Sequence, residues 1–152
     1  MGPSQDIIDF GKQKKWQHAL AILHERQLRA LQPDMQMHRA ALSACKKSAR
    51  WYEALALFAE IQLRPKWLNV VTYNTAIGAC GEGSLWNEAL GVVSDMWLRR
   101  VEPDVMIYST AISACEKGGR WNEALGMFSD MLQRRLDPDV IIYSAAISAC
   151  ET

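Results

Sequence analysis

Residues 105–139 read VMIYSTAISACEKGGRWNEALGMFSDMLQRRLDPD, and residues 70–104 read VVTYNTAIGACGEGSLWNEALGVVSDMWLRRVEPD. The two stretches align without a gap and share 21 of their 35 residues. Self-similarity of this length at a fixed interval is typical of a repeat protein, in which one supersecondary unit stacks on the next. The interval of 35 residues therefore predicts where each structural unit begins.

The same interval runs through most of the chain. The cysteines recur at Cys45, Cys80, Cys115 and Cys150. A Trp-x-x-Ala-Leu pattern recurs at Trp16, Trp51, Trp86 and Trp121. We therefore predict one domain over residues 1–152, made of a degenerate unit 1–34, the full units 35–69, 70–104 and 105–139, and a partial unit 140–152.

Each unit is predicted to be a pair of helices. In residues 105–115, apolar side chains have the i, i+3, i+4, i+7 spacing of an amphipathic helix. Gly118 and Gly119 interrupt this pattern, and a second apolar stripe runs from about Arg120 to Arg134. No strand pattern competes. We therefore predict an all-α fold, an α-solenoid of helix–turn–helix units that bury their apolar faces by stacking.

The composition excludes several classes of protein. Apolar residues make up 49% of the chain and charged residues 22%, which is typical of a globular domain. Seventeen basic residues balance seventeen acidic ones, and this argues against a highly basic protein that coats nucleic acid nonspecifically. No apolar run approaches the roughly 18–20 residues of a membrane span. Residues 1–6 show neither a basic presequence nor an apolar signal core.

From these patterns we expect no membrane insertion and no small-molecule substrate. The last unit stops halfway, which we interpret as truncation of a longer chain or as a terminal helix covered by something else.

Metal, disulfide and catalytic sites are not predicted. The chain has no Cys-x-x-Cys pair, and equivalent helices in a stack lie roughly 10 Å apart, beyond the reach of about 7 Å between disulfide Cα atoms. We interpret the cysteines and the periodic tryptophans as packing residues of the core. No phosphate-binding glycine loop and no metal-ligand histidine spacing occurs. We therefore predict no cofactor, no metal and no enzymatic activity.

These patterns resemble the pentatricopeptide repeat. The resemblance is carried by Val70-Val71-Thr72-Tyr73-Asn74-Thr75, by Trp86-Asn87-Glu88-Ala89-Leu90, by Met96 and by Val101-Glu102-Pro103-Asp104. The related tetratricopeptide repeat has a 34-residue interval and a different pattern, which is absent. The resemblance implies a right-handed superhelix whose first helices line the concave side. It also implies a protein of a mitochondrion or chloroplast that binds single-stranded RNA at about one base per repeat.

The resemblance further implies which residues choose each base. In the family, the base preference of a repeat is determined by two residues: the one after the tyrosine of the first helix and the last one of the unit. Asn74 with Asp104 resembles the family's uracil reader, and Ser109 with Asp139 resembles a weak guanine reader. An alternative stays open for each: the aspartates as helix N-caps only, and Asn74 and Ser109 as ordinary polar residues of a helix surface.

Two units depart from that scheme. Unit 35–69 offers Arg39 with Asn69, and a long cationic side chain is suited to a phosphate contact, to stacking on a base or to simple solvation. In the partial unit, Ser144 has no partner at the end of its unit.

The resemblance also implies clamp residues, which hold each base from the start of adjacent first helices. The clamp residues are Val71, Met106 and Ile141, while Gln36 departs from the apolar pattern. Candidate phosphate contacts lie near the ends of first helices, at Lys12, Lys46, Lys47 and Lys117. Residues 1–69 carry eleven basic and six acidic residues, whereas residues 70–152 carry six and eleven, so an anion should prefer the N-terminal half.

The sequence is consistent with two functions. The first is a non-catalytic RNA-binding protein that acts in RNA processing, stability or translation. The second is a structural scaffold or accessory subunit of a large organellar complex that binds protein through the same solenoid surface. Asn74 with Asp104 favours the first, whereas the neutral charge and the irregular Arg39 unit favour the second.

Overall fold

The computed structural model describes residues 16–31 and 34–151, apart from the side chain of Ala149. Eight α-helices and no β-strand occur among these residues. The helices are α1 (Trp16–Leu28), α2 (Met35–Lys47), α3 (Trp51–Gln62), α4 (Val70–Glu82), α5 (Trp86–Leu98), α6 (Val105–Lys117), α7 (Trp121–Gln133) and α8 (Val140–Cys150). Equivalent helices begin 35 residues apart, which confirms the predicted all-α helical repeat.

The turn inside each hairpin is short because one residue serves both helices. After α6, Gly119 adopts a left-handed conformation with φ of 67°, and the N–H of Arg120 donates to the carbonyl of Cys115 at 2.8 Å. The Arg120 carbonyl in turn accepts from the N–H of Ala124 at 3.0 Å, at the start of α7. This is the Schellman ending of a helix, and it leads directly into the next helix.

The second helices end in a similar way, with one exception. Ala30, Arg100 and Arg135 follow α1, α5 and α7 in left-handed conformations with φ of 54°, 58° and 58°. The equivalent residue after α3 is Pro65, whose ring fixes φ near −65° and forbids that conformation. The chain instead forms one turn of 3-10 helix over Pro65–Trp67.

The described chain divides soon after this turn into two compact bodies. The N-terminal body ends at Leu68 and the C-terminal body begins at Asn69, one residue before the predicted unit 70–104. In the N-terminal body, α2 packs against both α1 and α3. The single domain over residues 1–152 stays a prediction.

The C-terminal body consists of two layers of helices. The first helices form a row in which α4 packs against α6 and α6 against α8. The second helices cover them, since α5 packs against α4 and α6, and α7 packs against α6 and α8. The core at the last hairpin is formed by Tyr108, Ile112, Cys115, Ala124, Met131, Ile142 and Ala145.

Two predictions about the core are wrong at the last repeats. Cys45, Cys80 and Cys115 are buried, but Cys150 is exposed because no second helix follows α8 among the described residues. Trp121 is 46% exposed, whereas Trp86 is half-buried under the Arg120 guanidinium of the following hairpin, 4.3 Å from the ring centroid. A periodic tryptophan is therefore covered by the next unit rather than by its own.

No helix in residues 16–31 and 34–151 is long and apolar enough to cross a membrane.

Candidate nucleic-acid interface

The clamp residues form an exposed apolar series on the first helices of the C-terminal body. Val71, Met106 and Ile141 are the second residues of α4, α6 and α8, and their exposed fractions are 54%, 61% and 64%. Single exposed apolar residues are common on proteins. Here the same exposure recurs at the same place on three helices that pack side by side.

The three polar residues that follow the tyrosines lie on the same helix faces as the clamp residues. Asn74, Ser109 and Ser144 each come three residues after a clamp residue, and helical residues three apart are surface neighbours. Asn74 and Ser109 are half-buried and Ser144 is exposed. The structure therefore brings together, in each of three repeats, one apolar side chain and one polar side chain.

Asn74 is held by the neighbouring repeat. Its Oδ1 accepts a hydrogen bond of 2.9 Å from the Thr110 hydroxyl of α6. The partner is 36 residues away in sequence and belongs to another helix.

The predicted unit-end residues are N-caps of the first helices. Asp104 accepts from the N–H of Ile107 at 2.9 Å, and Asp139 accepts from the N–H of Ile142 at 2.9 Å. Asn69 accepts from the N–H of Thr72 at 3.0 Å, and the Thr72 hydroxyl oxygen accepts from the Asn69 N–H, which completes a capping box. Asp104 and Asp139 therefore cap first helices, and their role in base reading stays a prediction.

A shallow open cleft of about 310 Å³ lies where α6 meets α8. Its lining includes the clamp residue Ile141 and the polar residue Ser144, together with Ser113 and Glu116 of α6. The cleft therefore has an apolar wall, two hydroxyl groups and one carboxylate.

Family models match the C-terminal body in the same register. The PPR repeat family model matches residues 103–151, and the PPR repeat model matches residues 71–101. Together they cover more than half of the sequence. The chain belongs to the pentatricopeptide repeat family. No curated protein matches the sequence.

Solved structures of other pentatricopeptide repeat proteins resemble this chain. It is 28% identical to PPR10 in complex with an 18-nt psaJ RNA element, with a TM-score of 0.75 over 94% of this chain and 21% of that one. It is 24% identical to PPR10 from maize, with a TM-score of 0.73 over 97% and 21%. The chain thus spans about a fifth of the length of PPR10.

A third solved structure is similar to this chain in fold only. The PPR domain of Arabidopsis thaliana protein-only RNase P 1 (PRORP1) in complex with tRNA is 15% identical to this chain, with a TM-score of 0.82 over 99% of this chain and 81% of that one.

In the N-terminal body, different residue types occupy the equivalent places on the first helix α2. Arg39 is half-buried on α2, and Gln36 is exposed at the clamp place. Lys46 is half-buried and Lys47 exposed in the last turn of α2. Lys12 lies outside the described residues.

The remaining lysine candidate has an acidic neighbour. Lys117 Nζ lies 3.5 Å from Glu82 Oε1, and both side chains are about half exposed. Glu82 takes the place of this lysine in the preceding repeat, so the two equivalent residues pair across the stack. A surface pair of this kind is weak, and phosphate contact by Lys117 stays a prediction.

Sequence reasoning missed the hydrogen bonds that anchor the tyrosines. The Tyr73 hydroxyl donates to Asp95 Oδ2 at 2.7 Å, and the Tyr108 hydroxyl donates to Asp130. Burial, reinforced by the hydrogen bond to the carboxylate, raises the pKa of both phenols. Arg99 and Arg134 form ion pairs with the same aspartates. The sequence contains a signal for these bonds, because the tyrosines, the aspartates and the arginines each recur 35 positions apart.

A histidine replaces the tyrosine in the N-terminal body. His38 is buried, and its Nε2 lies 3.1 Å from Glu60 Oε2. In each of these three hairpins, a buried ring of the first helix is tied to a carboxylate of the second helix. The next residue in sequence is Arg39, Asn74 or Ser109, so the anchored ring fixes the backbone that presents each of them.

No group of three or more histidine, cysteine, aspartate or glutamate residues is placed to hold a metal within the described part of the chain.

Proposed function

We propose that this chain is a non-catalytic RNA-binding protein of a mitochondrion or chloroplast, acting in RNA processing, stability or translation. In the proposal, the C-terminal body binds single-stranded RNA along the row formed by α4, α6 and α8, at about one base per repeat. The organellar and non-catalytic parts of the proposal rest on family membership alone.

One observation supports RNA as the ligand above all others. An exposed apolar residue and a polar residue three positions later recur together on three adjacent first helices. Single-stranded RNA offers base faces for packing and base edges for hydrogen bonds, at regular intervals. In the proposal, Val71, Met106 and Ile141 pack on base faces, while the polar residues meet base edges.

The PPR10 complex supports the same ligand, since a pentatricopeptide protein 28% identical to this chain was solved with an 18-nt RNA bound. Asp104 and Asp139 keep one carboxylate oxygen for the helix N-terminus and have a second oxygen available for the edge of a base. In the N-terminal body, Arg39, Lys46 and Lys47 are proposed to contact RNA phosphates.

The experiment compares two exposed apolar residues that differ in their helix layer. Met106→Ala removes a clamp residue from a first helix, and Leu98→Ala removes a side chain that is 83% exposed at the end of the second helix α5. We expect Met106→Ala to weaken binding about fivefold or more, because burial of the Met106 side chain against a base contributes about 1 kcal/mol or more. Leu98→Ala should leave binding unchanged. Fluorescence anisotropy with a labelled short RNA at low salt measures both.

Equal affinities of the two variants would contradict the proposed binding surface. Absence of RNA binding by the unsubstituted chain at low salt would contradict RNA as the ligand.

A second candidate function is a scaffold or accessory subunit of an organellar protein complex. One observation favours it: seventeen basic residues balance seventeen acidic ones, so the chain has no excess of positive charge to attract RNA phosphates. Retention of the chain in a complex after ribonuclease treatment, together with no RNA binding, would favour this function over the first.

A further inference from the structure

The cleft between α6 and α8 has one wall from each helix. Ser113 and Glu116 belong to the α6 wall, and Ile141 and Ser144 belong to the α8 wall. Ser113 and Glu116 come four and seven residues after the polar residue Ser109, which is the spacing of a single helix face. The α6 wall therefore continues the surface along which the proposed function places RNA.

Glu116 distinguishes this wall from the other repeats. The equivalent residues of α2 and α4 are Lys46 and Gly81, so a carboxylate stands where those helices carry a cation or no side chain. Glu116 is half-buried, and within residues 16–31 and 34–151 it forms no ion pair. Its carboxylate therefore keeps its capacity to accept hydrogen bonds from a ligand in the cleft.

The chemistry of this wall selects the part of an RNA strand that lies against it. A carboxylate accepts hydrogen bonds, and it repels a phosphate group, which is also anionic. An RNA strand offers donors on its bases and at the 2′-hydroxyl group of each ribose. In the proposed function, the base of a nucleotide in this cleft packs on Ile141 and meets Ser144. Because both residues belong to α8, the ribose of that nucleotide is the donor that faces α6.

We propose that Glu116 is a specificity-determining residue that accepts a hydrogen bond from a ribose 2′-hydroxyl group, so that the chain binds RNA in preference to DNA. This inference rests on the proposed function. The 2′-hydroxyl group is the chemical difference by which a protein distinguishes the two nucleic acids at one site. The 70–104 repeat lacks this acceptor, because Gly81 stands at the equivalent place. The preference should therefore arise at the cleft rather than along the whole strand.

The test uses the full chain and two labelled single strands of the same short base sequence, one built on ribose and the other on 2′-deoxyribose. Glu116→Ala removes the acceptor, and alanine is well tolerated in a helix. Glu88→Ala is the matched control, because it removes the same charge from an exposed place on the second helix α5. Fluorescence anisotropy at low salt gives the ratio of the two affinities, and circular dichroism checks the fold.

We expect the unsubstituted chain and Glu88→Ala to bind the ribose strand about tenfold more tightly than the deoxyribose strand, as one hydrogen bond to a charged group allows. In Glu116→Ala this ratio should fall toward one, through weaker binding of the ribose strand. A ratio that persists in Glu116→Ala, or that falls equally in Glu88→Ala, overturns the role of Glu116. Equal binding of both strands by the unsubstituted chain also overturns it and leaves the proposed function standing, whereas no binding of the ribose strand overturns both.

Discussion

At the residue scale, each hairpin turn depends on one residue in the left-handed conformation. Ala49, Ser84 and Gly119 occupy this place in the three hairpins, with φ of 58°, 56° and 67°. Glycine adopts such a conformation without strain, whereas a residue with a Cβ is destabilised there by roughly 1 kcal/mol or more. The repeat therefore carries some backbone strain in two of its three turns.

This strain predicts opposite effects for two substitutions in the C-terminal body. Gly119→Ala should lower the free energy of unfolding by about 1 kcal/mol, although no atom lies within 4 Å of the added Cβ. Ser84→Gly should raise it by a similar amount. Urea denaturation followed by circular dichroism measures both variants, and a change of the same sign in the two would contradict the explanation.

At the element scale, the residue before each first helix joins local stability to the proposed binding role. Asp34, Asn69, Asp104 and Asp139 all accept hydrogen bonds from the N–H groups of the first turn. The second helices have no such side-chain cap at Arg50, Leu85 or Arg120, because the end of the preceding helix already fixes their start. A substitution before a first helix therefore tests two roles at once.

Substitution of Asp104 separates capping from base reading. Serine is a good N-cap and alanine a poor one, so Asp104→Ser should keep the stability of the chain, while Asp104→Ala should lose about 1 kcal/mol. Both variants should lose the preference for a central uracil if Asp104 reads the base. Thermal unfolding and anisotropy titration give the two readouts, and an unchanged base preference in Asp104→Ser would leave Asp104 as a cap only.

At the scale of the whole molecule, buried thiols repeat through both bodies. Burial, the largest cause, raises the pKa of Cys45 to about 11, that of Cys80 to about 12 and that of Cys115 to about 11, from an ordinary value of 9.0. The nearby carboxylates of Glu53, Glu88 and Glu123 add to this increase. The folded chain therefore keeps protons that the unfolded chain releases above pH 9.

Stability should consequently fall as the pH rises from 9 toward 11–12, where these thiols ionise. The stabilisation is complete below pH 9, and by pH 11 the loss should approach about 2 kcal/mol per buried thiol. Urea denaturation at a series of alkaline pH values, with a reductant present, measures it. Cys115→Ala should make the dependence shallower. A free energy of unfolding that stays constant above pH 9 would contradict the prediction.

Much of the local structure was predictable from the sequence, because it depends on neighbours within one or two helical turns. The interval of 35 residues predicts the start of every described helix, and Asp104 and Asp139 are recognisable as N-caps from the residues that follow them. The clamp residues Val71, Met106 and Ile141 follow from the family resemblance; the structure shows them exposed, and their role as clamps stays a prediction.

Contacts between repeats were not predictable in the same way. The bond from Thr110 to Asn74, the pairing of Lys117 with Glu82 and the cover of Arg120 on Trp86 each join residues about one repeat apart.

The sequence by itself determined the repeat, its helices and their ends, because spacing and capping act along the chain. Only the tertiary structure decided which side chains are covered, since each repeat is buried by the next: Trp86 is covered and Trp121 is not, and Cys115 is buried while Cys150 is exposed. The hydrogen bond of Asn74 belongs to the same level, because its partner Thr110 comes from a different helix.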